Sequence, residues 1–353
     1  MQNAARRSFA SDNCAPVAPE IVQAILAANK GDAPSYGDDA WTARATASFK
    51  ERFGQNAEVY FTFNGTGANV AAISSLLRPW EAALAPASAH LQTDECGALE
   101  RFAGSKIIAI PTNDGKLRPH DLEPYLHGGG NPHFAQPRIV SISQATEFGG
   151  VYEIEELREL CDFAHRHNLF VHLDGARLSN AAAALGVELR EVSVDAGVDV
   201  LTFGATKNGA MYGEAICFAN PALHVGAAPF VQKQSMQLAS KMRYIAAQFV
   251  ALLENDCWRQ YASHANEMTQ RLRQRIAGLE GLRITRPARC NAIFATLSRE
   301  RIPQLQREYE FYIFDEMLPE VRWMTHWATT PDDVDAFARS IETVLQAGSS
   351  PSK

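Results

Sequence analysis

The amino-acid sequence predicts an α/β fold: a large domain on a mostly parallel sheet, followed by a small α+β domain at the C-terminus. Three observations carry that expectation. Short apolar runs, such as Leu169–Leu173 and Val198–Phe203, end abruptly in polar and turn residues and are apolar on both faces, which suits buried parallel strands. Helical patterns alternate with these runs, which predicts right-handed βαβ crossovers. After about residue 211 the alternation stops and an α+β pattern takes over.

The elements follow in order. Residues 17–30 read as a helix after Pro16, with Ile21, Val22, Ile25 and Leu26 on one stripe and Gly31 as the stop. A second helix spans 38–53, capped by Asp38 or Asp39. Glu58 to Phe63 is a strand that turns through Asn64-Gly65-Thr66-Gly67 into a helix over about 67–77. Further strands are expected at 82–85, 107–110, 139–143, 169–173 and 198–203, with helical patterns at 94–102, 119–126, 154–167 and 178–194. Residues 215–219 suit an antiparallel strand. Long helical stretches cover 233–253 and 257–279, followed by strands at 282–286, 291–297 and 320–326 and a last helix at 331–346. The implied division is an N-terminal arm (1–15), a large domain (16–250), a small domain (251–347) and a disordered tail (348–353).

The 353 residues suffice for a large core, and 46% hydrophobic with 21% charged residues are globular values. A net charge of −7 without a basic run argues against a nucleic-acid partner. The six cysteines show no CxxC pair and no secretory framework, so no metal site is expected and buried free thiols are the reading. Met1 to Phe9 lacks an apolar core, so it is not read as a signal peptide. No apolar stretch approaches the ~18 residues of a membrane span. A cytoplasmic enzyme is the expectation.

Two strand ends carry the chemistry. Ligands of open α/β sheets sit outside the carboxyl ends of the strands, so Asp174 and Lys207 should face one crevice. A lysine for a Schiff base and an acid opposite a pyridine nitrogen are the two parts that pyridoxal phosphate chemistry needs. Arg177 lies three residues beyond Asp174; it reaches a cofactor hydroxyl or a substrate carboxylate as a planar fork, or closes onto Asp174 as an ion pair. The Asn64-Gly65-Thr66-Gly67 turn offers free N–H groups to a phosphate, but matches neither a Walker A loop nor a GxGxxG turn. His90 follows a strand and suits either a ring-stacking role or an ordinary core or surface position.

With these residues in hand the chain resembles the threonine aldolases of the β-eliminating lyase group, in their low-specificity L-threonine aldolase and phenylserine aldolase branch. These are pyridoxal phosphate enzymes of the fold-type I transferase class. The likeness runs from about Phe9 to Ala347. Its blocks are Phe9-Ala10-Ser11-Asp12-Asn13, Tyr36-Gly37-Asp38-Asp39, Asn64-Gly65-Thr66-Gly67-Ala68-Asn69, Thr93-Asp94-Glu95-Cys96-Gly97-Ala98 and Gln144-Ala145-Thr146-Glu147. Asp174-Gly175-Ala176-Arg177, Gly204-Ala205-Thr206-Lys207-Asn208-Gly209, Ala239-Ser240-Lys241-Met242-Arg243 and Val321-Arg322-Trp323-Met324-Thr325 continue the series in order.

The resemblance implies roles. Lys207 would carry pyridoxal 5'-phosphate covalently, Asp174 would face its ring nitrogen and His90 would stack on its ring. Gly65, Thr66 and Gly67 would cradle the phosphate, with Thr206 beside the lysine. Ser11, Arg177 and Arg322 would hold the substrate carboxylate, so the site would lie between the domains. Lys233 and Lys241 would reach a neighbouring subunit's phosphate and Tyr36 would line the partner's site, implying a homodimer or homotetramer with shared active sites. Two departures from the family pattern stand out. Glu147 replaces a histidine common in threonine aldolases, which leaves Glu147, His90 or a water as acceptor of the β-hydroxyl proton. Gly67 replaces a bulkier residue, which should enlarge the turn slightly. The implied reaction is retro-aldol cleavage of L-threonine, L-allo-threonine or related β-hydroxy-α-amino acids, including phenylserine, to glycine and an aldehyde. Another fold-type I enzyme, namely a β-eliminating lyase, racemase or aminotransferase, is the alternative.

Overall fold

The computed structural model describes residues 8–220, 222, 223 and 225–346. The expected tail at 348–353 and the first part of the expected arm lie outside the described residues. Seven strands, β1 (Glu58–Thr62), β2 (Glu81–Pro86), β3 (Lys106–Ile110), β4 (Gln136–Ser143), β5 (Phe170–Gly175), β6 (Val200–Gly204) and β7 (Glu214–Phe218), form one sheet in the order β1-β7-β6-β5-β4-β2-β3. Strand β7 runs antiparallel to both neighbours, as the sequence suggested, and the remaining pairs are parallel. Every strand but β7 therefore points its carboxyl end the same way, which is where a crevice opens.

A second, antiparallel sheet holds β8 (Leu282–Ile284), β9 (Ala292–Leu297), β10 (Tyr312–Asp315) and β11 (Glu320–Met324) in the order β10-β11-β9-β8. The helix Cys257–Ile276 feeds both cores. Its Cys257 and Trp258 pack in the large core, while Met268, Leu272 and Ile276 pack in the small one. Among the described residues no helix is long and apolar enough to cross a membrane. Four cysteines are buried as expected, whereas Cys14 and Cys96 are exposed.

Several helical patterns are shorter in the structure than in the sequence. Of the stretch 94–102 only Ala98 onward is helical, in Ala98–Ala103 after Gly97 at φ 69°, and another short helix, His90–Thr93, precedes it. That at 178–194 ends at Leu185 because Gly186 caps it in the left-handed region. The stretch 119–126 becomes Pro119–Leu122 and a 3-10 turn. The stretch 233–253 is broken: one helix, Ala228–Gln234, stops before Met236 at φ 63°, and another starts at Arg243. The intervening loop returns Gln237 to the first strand's end, where it accepts from the Phe63 N–H. Strand β10 was not expected.

The arm belongs to the small domain's core. Phe9 is fully buried and stacks on Phe337 at 4.2 Å. Its backbone donates to Glu310 and accepts from Met324, each at 2.9 Å. Removing a buried phenyl ring costs about 3–5 kcal/mol. We therefore expect Phe9→Ala to lose about that much stability in urea unfolding. A loss under about 1 kcal/mol would mean that the arm is not part of the core.

Candidate active site

The crevice is built from strand ends. Asp174 closes β5, and Lys207 follows β6 in a 3-10 turn, Thr206–Asn208. Gly65, His90 and Glu147 follow β1, β2 and β4, and all five line the same pocket with Asn69 and Arg177. The two groups singled out from sequence thus share one cavity with Gly65, His90, Glu147 and Arg177, whereas Ser11, Thr66, Gly67, Thr206 and Arg322 are not part of its lining.

Asp174 is an anchored anion. Its Oδ1 accepts from the Ala176 N–H at 2.9 Å, and its Oδ2 from the Asn69 amide at 2.8 Å. Burial opposes its charge. The Lys207 ammonium, the Ala176 and Asn69 bonds and His172 outweigh that cost and hold its carboxyl below the usual range. Asn69 is itself fixed, donating also to Glu95 at 2.9 Å and accepting from Thr202 at 2.9 Å. Glu95 in turn binds His90 Nδ1 at 2.8 Å. That bond, against burial, raises the His90 pKa. Sequence reasoning gave Asn69 and Glu95 no role. The available signal was a polar residue inside an otherwise apolar helix, Gly65–Ser74.

Lys207 holds its proton less tightly than an ordinary lysine. Burial and the neighbouring Arg177 push its pKa down, opposed by Asp12, Asp174 and Glu214. Glu214, which sequence reasoning passed over, opens β7 and is buried beside the lysine. It accepts from the Thr206 hydroxyl at 2.9 Å, and burial pushes its carboxyl up to about 8.

Arg177 does not pair with Asp174. Its Nε and Nη2 grip Asp12 at 2.8 and 3.0 Å, and the same carboxylate accepts from Asn291 at 3.0 Å. Asp12 won because the arm carries it into the crevice, while both Asp174 oxygens already accept from neighbours. Ser11 is buried next to it, and its hydroxyl caps the following turn by accepting from Asn13 at 3.2 Å. Arg322, on β11, donates to the Ala10 carbonyl at 3.4 Å, and its guanidinium lies 5.8 Å from the Tyr312 ring. Its Nε is covered and has no hydrogen-bond partner. Burial and Arg177 hold its pKa below the usual arginine range.

The turn after β1 starts the helix Gly65–Ser74, with Asn64 accepting from the Gly67 N–H at 2.8 Å. A Cβ on Gly65 would meet nothing within 4 Å, so the backbone there is open to a ligand. A Cβ on Gly67 would lie 2.2 Å from the Gln237 side chain. The space left by the missing side chain is filled, so Gly67 does not enlarge the turn. Lys233, Lys241 and Tyr36 do not line this pocket; all three are exposed, and the Lys233 ammonium sits 5.0 Å from the Tyr36 ring.

Glu147 receives the Ser143 hydroxyl at 2.6 Å and the His90 N–H at 3.0 Å, both on Oε1. Its Oε2 is covered and has no partner. Burial raises its pKa, partly offset by those bonds.

The Asp12–Arg177 pair yields a pH prediction. Burial alone would raise the Asp12 pKa, but Arg177, Lys207 and Asn291 bring it from 3.8 to about 2. Its stabilisation is therefore complete above pH 4 and is lost as pH falls toward 2. Asp12→Asn should cost about 3–5 kcal/mol at pH 7, by stranding a buried guanidinium. The gap between parent and variant should narrow below pH 4 in acid unfolding; a gap that stays level would refute the pairing as a stability determinant.

The β-eliminating lyase family model matches residues 8–300. The low specificity L-threonine aldolase of Pseudomonas aeruginosa is 41% identical over 345 residues, 97% of this chain and 99% of that protein. The structure of Leishmania major threonine aldolase superposes with a TM-score of 0.90 at 31% identity, covering 96% of this chain and 99% of that one. Aspartate aminotransferase from Thermus thermophilus, 15% identical with a TM-score of 0.69 over 96% of this chain and 90% of that one, shares the fold alone. The chain belongs to the β-eliminating lyase family.

Proposed function

We propose that this protein is a pyridoxal phosphate-dependent aldehyde-lyase. It cleaves L-threonine, L-allo-threonine and related β-hydroxy-α-amino acids to glycine and an aldehyde. One observation carries the reading: among the described residues, Glu147 keeps a covered Oε2 unpartnered in the pocket that Asp174 and Lys207 line, and the half-buried Arg322, against Ala10 of the arm, keeps its Nε unpartnered. Native interiors rarely leave such atoms unmatched. A substrate with a carboxylate at one end and a hydroxyl at the other would satisfy both.

The residues fit the cofactor. The backbone is open at Gly65 at the start of a helix, where N–H groups attract a phosphate, with Thr66 adjacent. The depressed carboxyl of Asp174 suits a protonated ring nitrogen, and the lowered pKa of the Lys207 amine suits a covalent Schiff-base link. When bound, the cofactor supplies an electron sink for the charge left at Cα as the Cα–Cβ bond breaks.

The chain's own residues do the rest. Arg322 receives the α-carboxylate, with Arg177 and Ser11 behind it. His90, braced by Glu95, would flank the cofactor's ring. Glu147 accepts the β-hydroxyl proton at Oε2, since its raised pKa places it nearer to neutral operation than an ordinary glutamate. Lys207 would hold the cofactor in the pocket. Lys233, Lys241 and Tyr36, on an exposed face that also carries Phe230 and Met236, contribute to the site of a second copy in a homodimer or homotetramer.

The test is a visible spectrum of purified protein before and after L-threonine, with acetaldehyde assayed in the same cuvette. A cofactor band with acetaldehyde appearing is the expected result. A band with ammonia and a keto acid instead would overturn the aldolase assignment. Lys207→Ala should abolish cleavage. Glu147→Gln should keep the cofactor band and lose about 10²–10⁴ in kcat, the usual worth of a general base. Parent-like turnover in Glu147→Gln would move the proton transfer to another group.

A further inference from the structure

The turn that carries Glu147 is stapled to the small domain at a point no catalytic role explains. Thr146 and Gly150 close the turn through an N–H to carbonyl bond of 2.8 Å, and Thr146 Oγ1 also accepts from the Gly150 N–H at 3.0 Å. Glu147 faces the crevice from it. The next residue, Phe148, lies under the guanidinium of Arg286, whose central carbon is 4.0 Å from its ring centroid. The same guanidinium lies 5.5 Å from the ring of Phe294 and 5.7 Å from that of Phe314, both in the small sheet. Phe148 also meets Phe314 edge-on at 5.9 Å.

Arg286 has a second attachment. Its Nη2 donates to Glu320 at 3.1 Å, and the other oxygen of Glu320 accepts from Thr285. Glu320 is buried at the start of β11, two residues before Arg322 and so on the same face of the strand. Phe294 stands directly opposite Arg322 in the β11–β9 ladder. One guanidinium therefore touches both the neighbour of Glu147 and the strand pair that presents Arg322. Its Nε is covered without a hydrogen-bond partner, so flat stacking on rings takes the place of a full set of bonds.

We propose that Arg286 is a positioning residue for the reaction. It locks Phe148 onto the Phe294–Phe314 face and thereby sets the distance between Glu147 and Arg322. This rests on the reading above, in which those two groups take the substrate's hydroxyl and carboxylate. The consequence is a division of effects. A β-hydroxy amino acid needs both groups at a fixed separation, whereas glycine, having no hydroxyl, needs only the carboxylate grip.

The experiment compares Arg286→Met, Arg286→Lys and Phe148→Leu with the parent holoenzyme. We expect Arg286→Met to lower kcat for L-threonine about tenfold to a hundredfold, the scale of a misplacement near 1 Å. Its affinity for glycine should change less than about threefold, within ~0.7 kcal/mol. Arg286→Lys keeps the charge beside Glu320 but not the flat stack, and should lie between. The double variant Arg286→Met/Phe148→Leu should be no slower than the worse single one, because both break the same joint. In the cofactor-free protein, hydrogen exchange should quicken in residues 144–151 of Arg286→Met without global unfolding. Unchanged kcat and exchange in Arg286→Met, while Glu147→Gln is slow, would overturn the joint alone. Equal losses in threonine turnover and glycine affinity would also overturn it. Parent-like turnover in Glu147→Gln would overturn the assignment of Glu147, and the joint's purpose with it.

Discussion

The buried fork between Arg177 and Asp12 is the constraint on which the site depends. It connects three distant parts of the chain: the arm, the end of β5 and, through Asn291 and Met324, the small domain. Asp12 is fully buried and Arg177 largely so, so neither readily tolerates the loss of the other. An unpaired ion in such a place costs several kcal/mol, whereas the intact pair roughly breaks even against an apolar replacement. What the pair confers is location. It fixes where Arg177 points and brings the arm's Ser11 and Ala10 against Arg322.

Around that fork the crevice is a balance of signs. Asp12, Asp174 and Glu214 crowd the lysine from one side of the charge ledger and Arg177 from the other, and burial makes each interaction count. The lysine's pKa is lowered while the carboxyl of Asp174 is held below its usual range. Burial outweighs the lysine's pull on Glu214 and pushes its carboxyl up to about 8. Of three carboxyl groups near the lysine, Asp12 and Asp174 are thus shifted down and Glu214 up, set by hydrogen bonds and burial rather than by residue type.

The parallel sheet and the Asp174–Lys207 crevice were legible because each rests on local pattern: an apolar run, a turn residue, a polar group at the strand's end. Residues whose role depends on a partner far along the chain were not legible. Asp12 lies 165 residues from Arg177, and Asp174 stood only three away as the apparent partner. Glu214 and Asn69 act through contacts across the sheet that no spacing reveals. The break at Met236 was hidden because apolar periodicity runs through it without proline or glycine. Strand β10 is only four residues long and is set among charged residues, which leaves no period to read.

The arm's place in the fold has a consequence for how the chain is made. Phe9 is seated between Glu310 and Met324 and stacks on Phe337, so its berth is assembled from residues about three hundred positions further along the chain. A ribosome adding about 5–20 residues per second leaves that phenylalanine without its partners for tens of seconds. The parallel sheet can assemble during that interval, but Asn291 and Met324, which also touch the Asp12–Arg177 fork, arrive only with the small domain. The newborn protein thus owns its lysine long before the arm and the fork have all their partners.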